Sequence, residues 1–260
     1  FLLVIMLMTS CGEYQSLLKS NDYNLVYKKA IEYYNKGDYQ RAMNLLDGVR
    51  SVFVGQAKAQ NIAYYRAFCS YNMKDYQIAS DLFKQFIQTY PESSFAEECL
   101  YMMGFCDYKA SPKPRLDQQV TEKAIREFQL YLSRYPYSMR KDKVNTYMDE
   151  MRDKLSYKAY LSAKNYYLRE HYKAAVISLQ NCLKDYPGSK YREEIMYMLF
   201  VSKYQMAVNS VEDKKVERYN NAREEYYYFA DEYPNSRYAA DVKKMYEDIE
   251  AYLENYKFED

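Results

Sequence analysis

The hydrophobic and polar positions near the end of the chain follow a helical period. Between Ser236 and Phe258 apolar residues recur every three or four positions, with charged residues between them. These apolar positions are Ala239, Val242, Met245, Tyr246, Ile249 and Leu253. Such spacing puts one apolar stripe on a helix. The pattern therefore predicts a C-terminal amphipathic helix that caps a larger helical assembly.

Four copies of Tyr-Pro-x-Ser punctuate the rest of the chain, and they begin at Tyr90, Tyr135, Tyr186 and Tyr233. Proline cannot continue a helix, and serine is a favoured N-cap residue. Each copy therefore predicts the end of one helix and the start of the next, with the serine as N-cap.

Small residues keep a fixed distance from these breakers. An alanine stands twelve residues before each proline, at Ala79, Ala124, Ala175 and Ala222. The same offset from Ala42 reaches Val54, beside Gly55, which indicates a first copy that has lost its proline. Upstream lies a second register, a small residue followed four positions later by tyrosine, at Ala30/Tyr34, Ala67/Tyr71, Gly104/Tyr108 and Ala163/Tyr167.

Two antiparallel helices that pack closely need a small residue where their backbones approach, a ring one turn further on and a breaker at the end. This pattern resembles tetratricopeptide repeats, whose hairpins must stack because one hairpin cannot bury its apolar face alone. We therefore predict an all-α fold, a tetratricopeptide-repeat superhelix of about five helical hairpins with a C-terminal capping helix.

Three departures from the repeat carry their own predictions. The stretch from Ser111 to Arg115 contains two prolines and predicts a loop inside the third hairpin. The long interval after Ser138 predicts a helix that is either very long or doubled. Phe200 occupies the small-residue position of the fifth hairpin, which predicts more open packing there.

Composition narrows the class of protein. The chain has 6 Gly and 6 Pro in 260 residues, too few for a many-stranded β fold. A mean hydropathy of −0.66 excludes a polytopic membrane protein, and 48% apolar residues are too many for a disordered chain. The 37 basic and 36 acidic residues are well mixed, which gives no support for binding nucleic acid.

The first residues differ from the rest. Phe1–Met8 is an uncharged apolar run, too short to span a bilayer, and Thr9-Ser10-Cys11-Gly12 follows it. This resembles a bacterial lipobox, with Met8 where leucine is usual, and predicts palmitate-type lipidation of Cys11 after a partial signal peptide over residues 1–10. An ordinary secretory signal with a coincidental cysteine, or the start of a buried helix, are the alternatives.

Candidate chemistry is sparse. We expect Cys69, Cys99, Cys106 and Cys182 to be free, buried thiols. The single histidine, His171, falls in a turn position equivalent to Asp38 and Asp75. The sequence has no glycine-rich phosphate loop and no nucleophile motif, and we predict neither catalysis nor a cofactor or metal site.

An anchor, five repeats and a longer connection after the third together resemble the BamD family of lipoproteins in the outer-membrane β-barrel assembly machinery. The resemblance covers Cys11 to the C-terminus. It implies a lipid-anchored protein of the outer membrane facing the periplasm. Its N-terminal repeats would hold unfolded barrel precursors and its C-terminal repeats would bind the barrel-assembly subunit. The corresponding division is a lipidated tether over 11–23, a precursor-binding half over 24–137 and a partner-binding half over 138–260.

Binding in such an array uses its surface, and aromatic and basic side chains on the first helix of each hairpin are the candidates. We propose Tyr27, Tyr64 and Arg66 in the N-terminal half, and Lys190 and Arg192 in the C-terminal half. Tyr34 and Tyr71 are interpreted as structural, since they are the repeat's own spacers. Two alternatives stay open: a lipid-anchored adaptor that organises other cell-envelope proteins, and a cytosolic adaptor whose N-terminal segment is a packing helix.

Overall fold

The computed structural model describes residues 12–256, and within this range the chain is helical without any strand. Residues 12–18 form a first helical segment. The helices that follow are α1 (Tyr23–Asn35), α2 (Tyr39–Val49), α3 (Lys58–Asn72), α4 (Tyr76–Thr89), α5 (Ala96–Ala110), α6 (Gln119–Arg134), α7 (Lys141–Leu168), α8 (Tyr172–Asp185), α9 (Arg192–Val208), α10 (Glu212–Glu232) and α11 (Ala239–Tyr256). The helices α1/α2, α3/α4, α5/α6, α7/α8 and α9/α10 are the five predicted hairpins, and α11 follows them. The all-α repeat fold is confirmed.

The chain divides into two compact units. Unit 1 ends at Met151 and unit 2 begins at Arg152, so the division falls within α7. Each unit is built around two contiguous clusters of buried side chains. The functional halves predicted over 24–137 and 138–260 stay a prediction.

Small residues lie where the helices of each hairpin cross, as the repeat pattern predicts. The side chains of Ala30, Ala42, Ala67, Ala79 and Ala124 in unit 1 are completely buried. Gly104 is the extreme case, because a Cβ atom on this residue would lie 2.9 Å from Cδ1 of Phe128. The third hairpin therefore brings a ring against the backbone of α5.

The fifth hairpin corrects one expectation. Phe200, in the small-residue position, was expected to open this hairpin, but its side chain and that of Ala222 are both completely buried. The ring of Phe200 lies 6.2 Å from that of Tyr226, centroid to centroid. An aromatic contact thus fills the crossing that alanine fills elsewhere.

The turns inside three hairpins share one backbone conformation. Gly37, Lys74 and Glu170 all have positive φ, at 80°, 67° and 58°. The next residue in each turn donates its N–H to a carbonyl five positions earlier, as Asp75 does to Ser70. This is the Schellman motif, which ends many helices. His171 follows Glu170 as the N-cap residue of α8, as its position in the sequence predicts.

The Tyr-Pro-x-Ser motifs end helices as predicted, but their serines are not N-caps. The N-cap of α5 is Phe95, two residues after the motif's serine, and no side chain caps this helix. Ser93 instead accepts the N–H of Phe95 at 3.2 Å within the preceding turn. The same bond recurs at Ser138, Ser189 and Ser236. The predicted N-cap role is wrong because the helix after each motif starts later than the motif suggests.

The structure shows what forms the two irregular stretches of the repeat, the loop after Ser111 and the long interval after Ser138. The long interval after Ser138 is a single helix, α7, of 28 residues. Residues 111–118 form the predicted loop, which the buried Gln118 closes by donating to the carbonyl oxygens of Lys113 and Leu116.

The segment before α1 packs on the first hairpin. Glu13 forms an ion pair with Lys29 at 2.9 Å, and the buried ring of Tyr14 lies 5.9 Å from that of Tyr33. Within the tether expected over 11–23, the described chain therefore packs on the first hairpin through Glu13 and Tyr14. Cys11 and the signal-like residues 1–10 lie outside the described residues.

The remaining cysteines fulfil the expectation, since Cys69, Cys99, Cys106 and Cys182 are free and buried. Burial raises the pKa of each thiol, to about 11 for Cys182. They behave as small apolar side chains of the core.

Candidate partner-binding surfaces

One tyrosine position repeats through all five hairpins, three residues before the position in the first helix that holds a small residue in four hairpins and Phe200 in the fifth. Intervals of 37 residues separate Tyr27 from Tyr64, Tyr64 from Tyr101, and Tyr160 from Tyr197. The Tyr64 hydroxyl donates to Glu98 at 2.8 Å, and the Tyr160 hydroxyl donates to Glu194 at 2.9 Å. In both cases the acceptor lies near the start of the next hairpin. These tyrosines join neighbouring repeats.

Their environment keeps these hydroxyls protonated. Burial first, and then the hydrogen bond to Glu98, raise the pKa of Tyr64 well above its usual value. Burial and the bond to Asp241 do the same for the pKa of Tyr197. A phenol in this state is a hydrogen-bond donor to the carboxylate, not a charged group.

Tyr27 is the first of these repeated tyrosines along the chain, and its side chain is half-buried. Its ring lies 6.1 Å from that of Phe53, and the Lys58 ammonium lies 5.7 Å from its centroid. Burial, as the main cause, raises the pKa of its hydroxyl, opposed by a hydrogen bond with Asn61. Tyr34 packs against Tyr65 with ring centroids 4.9 Å apart, as expected of a spacer.

Arg66 points away from these rings into a different surface. Its side chain is 11% exposed and donates from Nε to Oδ1 of Asp47 at 2.6 Å. It lines a groove of about 260 Å³ in unit 1, together with Arg50, Ala63, Leu82, Gln85 and Phe86. The predicted trio is therefore split, since Tyr27 and Tyr64 are not among the lining residues.

This groove of unit 1 combines an apolar floor with cationic walls. Phe86 is completely buried beneath it, whereas the Arg50 side chain is exposed and has no ion pair with any residue of 12–256. An extended chain with apolar side chains could bury them on the floor while its carbonyl groups accept from guanidinium N–H groups.

In unit 2 the two basic residues predicted to bind a partner, Lys190 and Arg192, differ in how accessible they are. Lys190 is 62% exposed and lies 3.6 Å from Asp153. Arg192 donates twice to Glu232, at 2.5 and 2.9 Å. Since a bidentate pair holds a guanidinium tightly, Lys190 is the more accessible of the two.

Unit 2 also contains a larger groove that the sequence did not indicate. Its volume is about 650 Å³, and its lining includes His171, Ile177, Gln205, Met206, Asn209 and Arg218. Ile177 is 55% exposed although it is apolar. Arg218 is fixed on one side by its bonds to the Met206 carbonyl and the Ser210 hydroxyl. This groove offers an apolar contact surrounded by polar groups.

A buried charge cluster in unit 1 lies apart from these surfaces. Lys123 forms an ion pair with the buried Asp107 at 2.8 Å, and Ser80 donates to Asp107 at 2.9 Å. Glu127 lies 3.7 Å from Lys123, and its Oε2 atom has no partner. Burial, reinforced by the neighbouring Asp107 carboxyl, raises the pKa of Glu127 to about 8.

Residues 12–256 contain no group of three or more His, Cys, Asp or Glu side chains arranged to hold a metal ion. Among the same residues, no helix has the length and apolarity needed to cross a bilayer.

A family model described as YfiO, outer membrane lipoprotein, matches residues 19–194 and 158–259 of the chain. No curated protein matches the sequence.

Several solved structures are similar to this chain. A TPR repeats protein from Bacteroides fragilis is 13% identical, with 89% of this chain and 99% of that one covered and a TM-score of 0.43. The TPR2AB domain of yeast Sti1 in a complex with pHSP90 is 14% identical, with 88% and 98% covered and a TM-score of 0.40. Human IFIT1, a dimer with PPP-AAAA, is 17% identical, with 96% and 63% covered and a TM-score of 0.31.

Proposed function

Because the chain belongs to the YfiO family of outer membrane lipoproteins, we propose that it is a non-catalytic, lipid-anchored scaffold of the β-barrel assembly machinery. In this role it faces the periplasm and aids the folding and insertion of β-barrel proteins into the outer membrane. The family match over nearly the whole chain carries the proposal. Lipidation at Cys11 supplies the anchor.

The groove of unit 1 suits an unfolded barrel precursor. Such a precursor is an extended chain with alternating apolar side chains and unpaired backbone groups. Leu82 and Phe86 offer apolar surface, and Arg50 and Arg66 offer donors to carbonyl groups. Tyr27 and Tyr64 contribute to this half by joining its repeats and by the exposed parts of their rings.

The surface of unit 2 suits a folded partner, the barrel-assembly subunit. The groove beside Ile177 provides an apolar contact, and Lys190 provides an accessible positive charge on the same unit, next to Arg192 in its pair with Glu232. Apolar anchors surrounded by charged groups are typical of protein interfaces.

Photo-crosslinking in cells tests both assignments. A photoreactive residue is placed at Gln85 in the groove of unit 1 or at Ile177 in the groove of unit 2. The matched controls are Lys84 and Asn181, which are exposed on the same helices but do not line these grooves.

We expect barrel precursors to be crosslinked from Gln85 and the assembly subunit from Ile177, with neither crosslinked from the controls. Crosslinking of cell-envelope enzymes alone from the groove positions would contradict the proposal and favour an adaptor for other envelope proteins.

A further inference from the structure

We propose that one edge of unit 1 lies against the anionic headgroups of the membrane. We call it the turn edge: the side where α1, α3 and α5 end and α2, α4 and α6 begin. It comprises the turns at Lys36 and Lys74 and the loop over residues 109–117. This inference rests on the proposed lipid anchor and extends it to the orientation of the repeats.

The start of the described chain lies close to this edge. Glu13 pairs with Lys29 at the centre of α1, and the Tyr14 ring lies 5.9 Å from that of Tyr33 in the last turn of α1. The Arg41 guanidinium lies 5.2 Å from the Tyr14 ring. The chain continues from Leu18 to the start of α1 at Tyr23, whereas Tyr14 contacts Tyr33 near the end of α1. Residues 12–18 therefore run antiparallel to α1, and Gly12 is at the end of this segment nearest the turn.

This placement shortens the link to the bilayer. Cys11 directly precedes Gly12, and consecutive Cα atoms are only about 3.8 Å apart. A lipid anchor at Cys11 therefore keeps the packed segment, and with it the turn between α1 and α2, close to the bilayer.

The turn edge carries more basic than acidic side chains. Its exposed cations are Lys36, Lys74, Lys109, Lys113 and Arg115, and none of them forms an ion pair with a residue of 12–256. Its carboxylates are fewer, and two of them are held by backbone groups. Asp38 accepts the N–H of Arg41, and Asp117 accepts that of Gln119. Asp75 is the third.

Apolar side chains are exposed among these cations. Leu116 is 58% exposed at the tip of the loop, and Ile78 is 56% exposed in the first turn of α4. Basic residues next to exposed aliphatic side chains are typical of surfaces that lie in the headgroup region, where the cations meet anionic lipid and the apolar groups enter the acyl boundary.

The opposite edge of unit 1 is the natural control. It carries exposed apolar residues too, with Val54 74% exposed. The 13 residues of α1 separate the two edges, which corresponds to about 20 Å at a rise of 1.5 Å per residue. If the turn edge contacts the headgroups, Val54 is held away from the bilayer.

Lipid-borne quenching measures this orientation. The mature, acylated chain carries one thiol-linked fluorophore, at Leu116→Cys or at Val54→Cys. The other described cysteines are buried, so the label goes to the introduced thiol. The chain is reconstituted in phosphatidylethanolamine–phosphatidylglycerol vesicles with a quencher in the lipid headgroup region. Thermal unfolding checks that both variants are folded.

We expect strong quenching at position 116 and little at position 54. Lys113→Gln with Arg115→Gln, or 1 M salt, should reduce the quenching at 116 without releasing the chain, because a screening length of about 3 Å weakens headgroup attraction but not acyl insertion. Equal or absent quenching at both positions in a chain that sediments with the vesicles would overturn the orientation and leave the anchor intact. A chain that does not sediment would overturn the anchor and the orientation together.

Discussion

At the scale of single residues, the contact between Gly104 and Phe128 is the tightest crossing among the described glycines. A Cβ atom at Gly104 would meet the Phe128 ring at 2.9 Å, whereas a Cβ atom at Gly48 would meet nothing within 4 Å. Both glycines lie within helices. The two positions therefore separate the effect of packing from the intrinsic helix propensity of glycine.

We predict that Gly104→Ala lowers the free energy of unfolding by about 1–3 kcal/mol, because the ring or the helix must shift. Gly48→Ala should raise it by about 0.5–1 kcal/mol, because alanine is the better helix former. Urea unfolding of the two variants measures both values. Stabilisation by Gly104→Ala would contradict the crossing geometry.

Glu127 makes a second prediction at this scale. Its pKa is raised to about 8 by burial and by Asp107. The folded chain therefore keeps a proton that the unfolded chain loses above its ordinary pKa near 4.5. Ionisation of the unfolded state makes the contribution of Glu127 to stability fall as pH rises between these two values.

Glu127→Gln removes the titrating carboxyl group and keeps the shape of the side chain. We predict that the variant gains roughly 1–3 kcal/mol over the wild type between pH 5 and pH 8, the scale of one uncompensated buried polar group. Glu122→Gln, an exposed change on the same helix, should show no such gain. Urea titrations at the two pH values give the difference, and a gain that does not depend on pH would disprove the raised pKa.

At the scale of helices and turns, the serine of Tyr-Pro-x-Ser holds a hairpin together. Ser93 donates to Gln60 at 2.9 Å, and Ser236 donates to Glu193 at 2.6 Å. In each case the acceptor lies in the first helix of the hairpin that the motif ends. The serine thus joins the two ends of one hairpin and also accepts a backbone N–H.

Adjacent serines test this role. We predict that Ser93→Ala lowers the free energy of unfolding by about 1–2 kcal/mol, since it removes two hydrogen bonds. The neighbouring Ser94 is exposed, and Ser94→Ala should stay within about 0.5 kcal/mol of the wild type. Thermal or urea unfolding compares the two, and equal effects would show that the hairpin bond contributes nothing.

The same scale shows what the sequence could predict. Spacing located the helix ends and the crossings at Ala30 and Ala67, because breakers and small residues act locally. It did not locate the helix starts after each motif, because these depend on bonds such as that of Ser93 to a residue 33 positions earlier. The choice between one and two helices after Ser138 also depended on tertiary packing.

The candidate surfaces were less predictable for the same reason. The 37-residue interval between Tyr27 and Tyr64 could have indicated a structural position, since Tyr101 continues it. No spacing indicates that Arg66 turns toward Asp47 while Tyr64 turns toward Glu98. The groove beside Ile177 arises from three helices and leaves no local pattern.

At the scale of the whole molecule, the repeats form two units with different surfaces. Unit 1 carries a groove with an apolar floor and two arginines, together with the packed segment that leads to Cys11. Unit 2 carries the larger groove and Lys190. In the proposed function, unit 1 combines attachment with capture of an extended chain, and unit 2 binds a folded partner.

Affinity purification of the full chain from detergent-solubilised outer membranes, followed by quantitative mass spectrometry, tests this account most directly. We predict that the barrel-assembly subunit is recovered with the chain in comparable amounts, and that Cys11→Ser reduces its recovery from the membrane fraction. Recovery of the chain from outer membranes without that subunit, or with other envelope proteins in its place, would contradict the account.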